Sequence, residues 1–195
     1  MNPPSGFATA PDLVPMSLEL RKWFDRFLKG EPNGIDTQPR VEIAKSPFTG
    51  SVQFPSFPSP HKLVLRSTKS ALLTASGRVQ RTFALPSRRL ETIGTPVVST
   101  TVSGTKPFQH LVAVLSATSE QTETIVSEGG IPLRPQVKPH RVSIRLLDQV
   151  VTIPAGSRLR LTLAATSTAQ SPANALYLLG VRDGSRVHLS RISVT

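Results

Sequence analysis

Residues 141–163, with the sequence RVSIRLLDQVVTIPAGSRLRLTL, decide the fold of this 195-residue chain. Apolar residues occupy every second position near both ends of the stretch, and polar residues lie between them. The alternating apolar residues are Val142, Ile144, Leu146, Leu159, Leu161 and Leu163. Because successive side chains of a β-strand point to opposite faces of a sheet, this pattern predicts two strands, each with one buried face. Arg158 and Arg160 are then expected on the face opposite the leucines.

The same alternation recurs along most of the chain. Pro154-Ala155-Gly156-Ser157 predicts a tight turn before the second strand, because proline presets φ and glycine tolerates positive φ. Short alternating segments begin at Val41 and again near Lys62. Further candidate strands are 80–85, 97–103, 110–117, 122–127, 141–147, 158–165, 174–179 and 186–194. Many short strands separated by turn residues are typical of a sandwich, barrel or jelly roll.

One helix is predicted before the strands, from about Met16 to Leu28. Its apolar residues repeat at helical spacing and form a single stripe, comprising Met16, Leu20, Trp23, Phe24, Phe27 and Leu28. Pro15 suits the start of the helix and Gly30 its end. A stripe this aromatic is expected to pack on another surface, and in an isolated domain part of it would stay uncovered.

These patterns predict an all-β fold, a sandwich, barrel or jelly roll, preceded by one N-terminal helix. We expect residues 1–40 to form an extended segment and the helix, and residues 41–195 to form the sandwich. A stretch rich in proline lies between the alternating segments that begin at Val41 and near Lys62. It contains Phe48, Phe54 and Phe57, and it is predicted to be a long loop held to the surface by these aromatic rings.

Composition narrows the classes of function. The chain has 23 Lys and Arg against 12 Asp and Glu, a formal charge of +11, and no cysteine. Cysteine nucleophiles, thiolate metal sites and disulfides are therefore excluded. A basic surface could bind nucleic acid, an anionic membrane or an acidic protein. With 5% aromatic residues and none interleaved with the basic ones in a pattern suited to stacking on bases, nucleic acid is disfavoured. Neither a membrane span nor a signal peptide is recognisable, which favours a cytoplasmic location.

The sequence shows no catalytic motif. The Gly-x-Ser-x-Gly elbow of α/β serine hydrolases is absent, as are phosphate-loop and dinucleotide motifs. The four histidines are far apart in sequence, so no zinc motif forms, and each is interpreted as an ordinary surface or strand residue. They are His61, His110, His140 and His188.

The carboxylates do not suggest a site either. Asp148 and Asp183 lie near predicted turns, where aspartate commonly forms local hydrogen bonds. Glu120, Glu123 and Glu128 form a small acidic group, but calcium there lacks a supporting loop pattern. We therefore predict no catalytic, cofactor-binding or metal-binding residue in this chain.

Three segments together resemble one family. They are Trp23–Gly30 (WFDRFLKG), Glu123–Gly130 (ETIVSEGG) and Val151–Leu161 (VTIPAGSRLRL). Their order and spacing are similar to those in the C-terminal region of X-prolyl dipeptidyl-peptidase and cocaine-esterase-like (CocE/NonD) serine hydrolases. The first resembles the helix that ends the catalytic domain, and the third resembles a hairpin near the end of the jelly-roll domain.

The resemblance implies a non-catalytic accessory domain. In the family, a separate α/β-hydrolase domain holds the catalytic Ser, Asp and His. The C-terminal domain of the family is a jelly-roll β-sandwich of the galactose-binding type, which packs on the hydrolase domain and helps to shape the substrate cleft. The resemblance therefore implies this jelly roll for residues 41–195. The family's histidine precedes the helix, whereas here no histidine precedes His61, so no catalytic residue is carried over. At Gln109-His110-Leu111 the family often has an aspartate that this chain lacks. The implied partner is a hydrolase domain, in the same polypeptide or in a separate chain.

Two other functions stay open at this point. A carbohydrate-binding module would need exposed aromatic platforms, for which Trp23 and Tyr177 are the obvious non-phenylalanine candidates. A basic structural or nucleic-acid-binding jelly roll would show strongly salt-dependent binding. The sequence also leaves open whether the chain forms a homo-oligomer.

Overall fold

The computed structural model describes residues 13–45, 50–59, 62–74, 77–104, 110–120, 122–134, 136–165 and 186–195. These residues form one α-helix, one short 3₁₀ helix and thirteen β-strands. The chain divides into two compact units, Met1–Ser59 and Pro60–Thr195. The predicted all-β sandwich with one helix near the N-terminus is confirmed.

The first unit contains the helix and a β-hairpin. Helix α1 spans Leu13–Lys29, and a 3₁₀ helix follows at Ile35–Thr37. Strands β1 (Val41–Ala44) and β2 (Ser51–Phe54) pair antiparallel. The predicted helix is confirmed and extends at its N-terminal end beyond Met16.

Strand β2 corrects the expectation of a continuous loop in this region. Ser51-Val52-Gln53-Phe54 alternates over four residues, which is too short to stand out among the neighbouring prolines. In the structure Val52 faces Ile43 across the hairpin, and Phe54 faces Val41. The other expectation, that the aromatic rings hold the segment to the surface, is wrong for Phe57, which is 69% exposed. Phe48 lies outside the described residues.

The described residues of the second unit form eleven strands, arranged in two larger sheets and one two-stranded ribbon. The four-stranded sheet has the order β5-β12-β8-β9, and β6 pairs with β11. In the five-stranded sheet the order is β10-β7-β13-β3, with β4 also paired to β13. The bounds are β3 Leu65–Ser67, β4 Ala71–Thr74, β5 Arg78–Ala84, β6 Leu90–Thr92, β7 Val97–Ser103, β8 His110–Thr118, β9 Glu123–Pro132, β10 His140–Arg145, β11 Val151–Ile153, β12 Arg158–Ala164 and β13 Arg186–Val194.

One hydrophobic core receives side chains from both sheets. Leu159, Leu161 and Leu163 of β12 are at most 4% exposed. Ile144 of β10 and Leu189 of β13 belong to the same buried cluster. The alternation predicted within residues 141–163 is therefore confirmed, and Arg158 and Arg160 alternate with the leucines along β12. Hydrophobic burial between two sheets is the main stabilising contribution in such a fold.

The alternation did not predict the partners of these strands. β10 pairs with β7, whereas β12 pairs with β5 and β8 in the other sheet. Val151–Ile153 pairs with β6 and not with β12, so the segment likened to a hairpin is not one. The turn itself is present: Ser157 N–H donates to Pro154 O at 3.3 Å, and Gly156 has φ +78°. The predicted strand 174–179 lies outside the described residues.

The chain after β10 crosses β9 very closely at Gly129. A Cβ at this position would lie 2.6 Å from the carbonyl oxygen of Arg145. Two hydrogen bonds hold the crossing: Leu147 N–H donates to Glu128 O at 2.8 Å, and Ser127 Oγ donates to Leu147 O at 2.6 Å. Only glycine lets the two backbones approach this far.

Replacing Leu161 by alanine should destabilise the protein by about 2–5 kcal/mol, because it opens a cavity in a closely packed core. Urea unfolding followed by circular dichroism measures the change. Leu72→Ala is the matched control: Leu72 is 52% exposed on β4, so its loss should change stability by less than about 0.5 kcal/mol. Equal effects of the two substitutions would contradict the assignment of the buried face.

Gly129→Ala should cost about 1–3 kcal/mol, because the new methyl group overlaps the backbone of Arg145 and forces the crossing apart. Urea unfolding followed by circular dichroism again measures the change in stability. Val137→Ala serves as the control, because Val137 lies between β9 and β10 and is 74% exposed, and little change is expected. An unchanged unfolding midpoint for Gly129→Ala would show that the crossing tolerates the extra volume.

Candidate docking surface

The three histidines in the described part of the chain do not gather into a site. His110 begins β8 opposite Pro132, and His140 begins β10 opposite Val102. His188 lies on β13 and is exposed. His61 lies outside the described residues. Within the described part of the chain, no three His, Cys, Asp or Glu residues are placed to hold a metal ion.

Ser103 and His188 place a hydroxyl group and an imidazole on neighbouring strands, the residue types of a nucleophile and its base. They face each other across the β7–β13 pairing. Among the described residues, however, no hydrogen bond joins their side chains, and the strands of their sheet contain no Asp or Glu to orient the imidazole. A serine nucleophile needs both the contact with a base and the orienting group. This pair therefore does not form a triad.

The carboxylates form structural contacts. Glu123 accepts hydrogen bonds from Ser116 Oγ at 2.6 Å and from Arg160 Nη1 at 3.0 Å, on the side of the four-stranded sheet that faces away from the leucines. Glu128 is 4% exposed on the neighbouring part of β9, and Glu120 and Asp148 are exposed. Asp183 lies outside the described residues. The three glutamates do not form a cation site.

The most conspicuous surface feature is the apolar side of α1, which we call the aromatic stripe: Leu20, Trp23, Phe24, Phe27 and Leu28. The exposed fractions of these side chains run from 43% for Phe24 to 73% for Leu28. Side chains of this size are normally buried in a folded domain. A contiguous exposed set on one helix marks an interaction site.

The rings of the aromatic stripe pack on one another. Trp23 lies edge-on to Phe24 with ring centroids 5.4 Å apart, and its centroid is 5.0 Å from that of Phe27. Such contacts hold the rings in a fixed arrangement. The helix therefore presents a preformed apolar ridge rather than a set of independent side chains.

Charged residues occupy the opposite side of α1 and stabilise it. Lys22 Nζ lies 2.7 Å from Glu19, and Asp25 binds Lys29 at 2.5 Å and Arg21 at 3.6 Å. The hydrogen bond from Lys29 holds the pKa of the Asp25 carboxyl below its ordinary value and raises the pKa of Lys29. Pairs spaced three or four residues apart support a helix.

The end of α1 is closed by glycine, as predicted. Gly30 has φ +75°, its N–H donates to Arg26 O at 3.1 Å, and Glu31 N–H donates to Asp25 O at 3.0 Å. This is a left-handed C-terminal cap. An ion pair between Arg26 and Asp36 at 2.5 Å connects the segment that follows to the helix.

This geometry suits docking better than the other candidate functions. Trp23, one of the two residues considered for a sugar platform, lies in the aromatic stripe, and Tyr177 lies outside the described residues. No helix in the described part of the chain is long and apolar enough to cross a membrane. A ridge of ordered aromatic rings on a stabilised helix fits an apolar groove of another protein.

Comparisons with known proteins identify the fold. No family model and no curated protein sequence matches the chain. Its structure is similar to the crystal structure of a CocE/NonD family hydrolase from Staphylococcus aureus, with a TM-score of 0.73 and 14% identity. That match covers 93% of this chain and 46% of the hydrolase.

Two further solved structures share the arrangement. One is an aminopeptidase from a marine sediment archaeon, Thaumarchaeota archaeon, with a TM-score of 0.60 and 10% identity; 90% of this chain and 43% of that chain are covered. The other is an α-amino acid ester hydrolase with a TM-score of 0.59 and 12% identity, and the same coverage. The chain therefore spans less than half the length of the proteins it resembles.

Proposed function

We propose that this chain is the non-catalytic C-terminal β-sandwich domain of a serine hydrolase of the CocE/NonD type, which includes X-prolyl dipeptidyl-peptidases and esterases. In this proposal the domain packs on an α/β-hydrolase catalytic domain and helps to shape its substrate cleft. The catalytic domain belongs to the same polypeptide or to a separate chain, and it supplies the Ser, Asp and His that hydrolyse peptide or ester bonds.

The observation that carries the proposal is the exposed aromatic stripe of α1. Fully burying one large apolar side chain contributes about 1.5–3 kcal/mol. These five side chains are 43–73% exposed, so docking of the aromatic stripe would contribute roughly 4–8 kcal/mol, less the cost of association. The solved structures that share this fold contain a further half that the chain does not match. In our proposal, residues 1–40 form the tail of the hydrolase domain and residues 41–195 form the accessory domain.

The first test is enzymatic. The purified chain should not hydrolyse an X-Pro-nitroanilide or a simple aryl ester, because the described residues hold no activated nucleophile. A variant with all four histidines replaced by alanine is the control for contaminating activity. Turnover by the wild-type chain that disappears in this variant would place a catalytic site within the chain and contradict the proposal.

The second test uses Trp23, which is the single tryptophan of the chain. Because Trp23 is 46% exposed, its fluorescence should be readily quenched by acrylamide in the isolated chain. Adding the catalytic domain should shift the emission to shorter wavelength and protect it from quenching, since docking transfers the indole to an apolar environment.

Calorimetric titration of variants of α1 with the catalytic domain tests whether the aromatic stripe is the docking surface. Phe27→Ser with Leu28→Ser should weaken binding of the catalytic domain by about 3–5 kcal/mol, because two buried anchors are lost. The control is Arg21→Ser with Lys22→Ser on the charged side of α1, for which less than about 1 kcal/mol is expected. Equal losses for the two pairs would show that the aromatic stripe is not the docking surface.

A further inference from the structure

A second surface is formed by the five-stranded sheet, and its character is opposite to that of the aromatic stripe. Strands β3, β4, β7, β10 and β13 contain no Asp, Glu, Phe, Tyr or Trp. On the side facing away from the core, strands β3, β7, β10 and β13 carry arginine and serine, and β4 carries Leu72, which is 52% exposed. We call this surface the arginine–serine face: Arg66, Ser99, Arg141, Ser143, Arg145 and Ser193.

The register of the strands brings these residues together from four distant parts of the sequence. Ser143 on β10 faces Ser99 on β7, which faces Ser193 on β13, which in turn faces Arg66 on β3. Ser99 Oγ and Ser143 Oγ are 3.0 Å apart. Four paired strands spaced by ~4.8 Å make this row about 14 Å long. Ser99 is 6% exposed, so Ser143 and Ser193 are the hydroxyl groups of this row that reach solvent, and the row ends at the guanidinium group of Arg66.

Two further guanidinium groups flank the row of serines. Arg141 and Arg145 lie on β10 on either side of Ser143, about 14 Å apart for a rise of ~3.4 Å per residue. Both are exposed, as is Arg66. Among the described residues, the ion pairs involve other basic side chains, and none joins these three arginines to a carboxylate. Three charged guanidinium groups thus lie around the neutral hydroxyl groups of the serines.

We propose that the arginine–serine face binds a short carboxylate-rich segment of a partner protein. A guanidinium group donates two parallel hydrogen bonds to a carboxylate, and serine hydroxyls donate to carboxylate oxygens that lie between the arginines. The patch measures about 14 by 14 Å, well below the ~800 Å² that each partner buries in a stable interface between folded proteins. An extended acidic segment therefore fits it better than a folded domain.

The chemistry of the arginine–serine face argues against nucleic acid and anionic membranes as its ligands. Single-stranded nucleic acid is held mainly by Phe, Tyr and Trp rings that stack on the bases, and these five strands contain none of these three residue types. Stable attachment to an anionic membrane generally combines basic residues with an inserted apolar group. The inference does not depend on the proposed hydrolase partnership, since it concerns another surface and another interaction.

The test measures binding of a fluorescent polyglutamate peptide by anisotropy at low and moderate salt. The wild-type chain should bind the peptide, and salt should weaken the binding. Arg66→Glu, Arg141→Glu and Arg145→Glu combined should weaken it by about tenfold or more. The matched control is Arg78→Glu, Arg88→Glu and Arg158→Glu, which changes the net charge equally on other exposed strands and turns and should weaken binding by less than about threefold.

Three results would overturn the inference. They are no binding by the wild-type chain at low salt, equal losses for the two triple variants, and tighter binding of duplex DNA or phosphatidylserine vesicles with the same loss in the arginine–serine variant. Urea unfolding checks that both triple variants are folded. If the first triple variant unfolds, Arg141→Gln alone replaces it, with Arg78→Gln as control; a larger loss for Arg141→Gln supports the inference and an equal loss refutes it.

Discussion

The structure depends on the row of leucines along β12. This strand lies between β5 and β8, so its inward side chains cannot avoid the space between the two sheets. Leu161 and Leu163 are completely buried there. A shift of one residue in the pairing would expose every leucine and bury Arg158 and Arg160. That cost fixes the register of β12, and with it the positions of the strands on both sides.

The burial of side chains could be predicted from the sequence, but the pairing of strands could not. Alternation shows which side chains share a face, and the prediction for residues 141–163 was correct on that point. It does not show that β10 and β12 belong to different sheets, because pairing is decided between segments far apart in the chain. Strand β2 was missed for another reason: its alternation spans four residues among prolines and glycines, too few to form a recognisable pattern.

The two candidate surfaces differ in how visible they are in the sequence. The aromatic stripe follows from the helical spacing of residues within a single segment, so its position was predicted correctly. The arginine–serine face combines residues 66, 99, 143 and 193, and only the register of four strands brings them into one row. A signal was nevertheless present, since the strands that build this face contain no acidic residue. The net charge of +11 indicated a basic surface without locating it.

The two proposed surfaces also depend on different physical interactions, so the salt dependence of binding distinguishes them. Association through the aromatic stripe removes apolar area from water, and salt affects it little or strengthens it. Association through the arginine–serine face is electrostatic, and ions screen it over about 8 Å at physiological ionic strength. A contact that persists at high salt can therefore only be the apolar one.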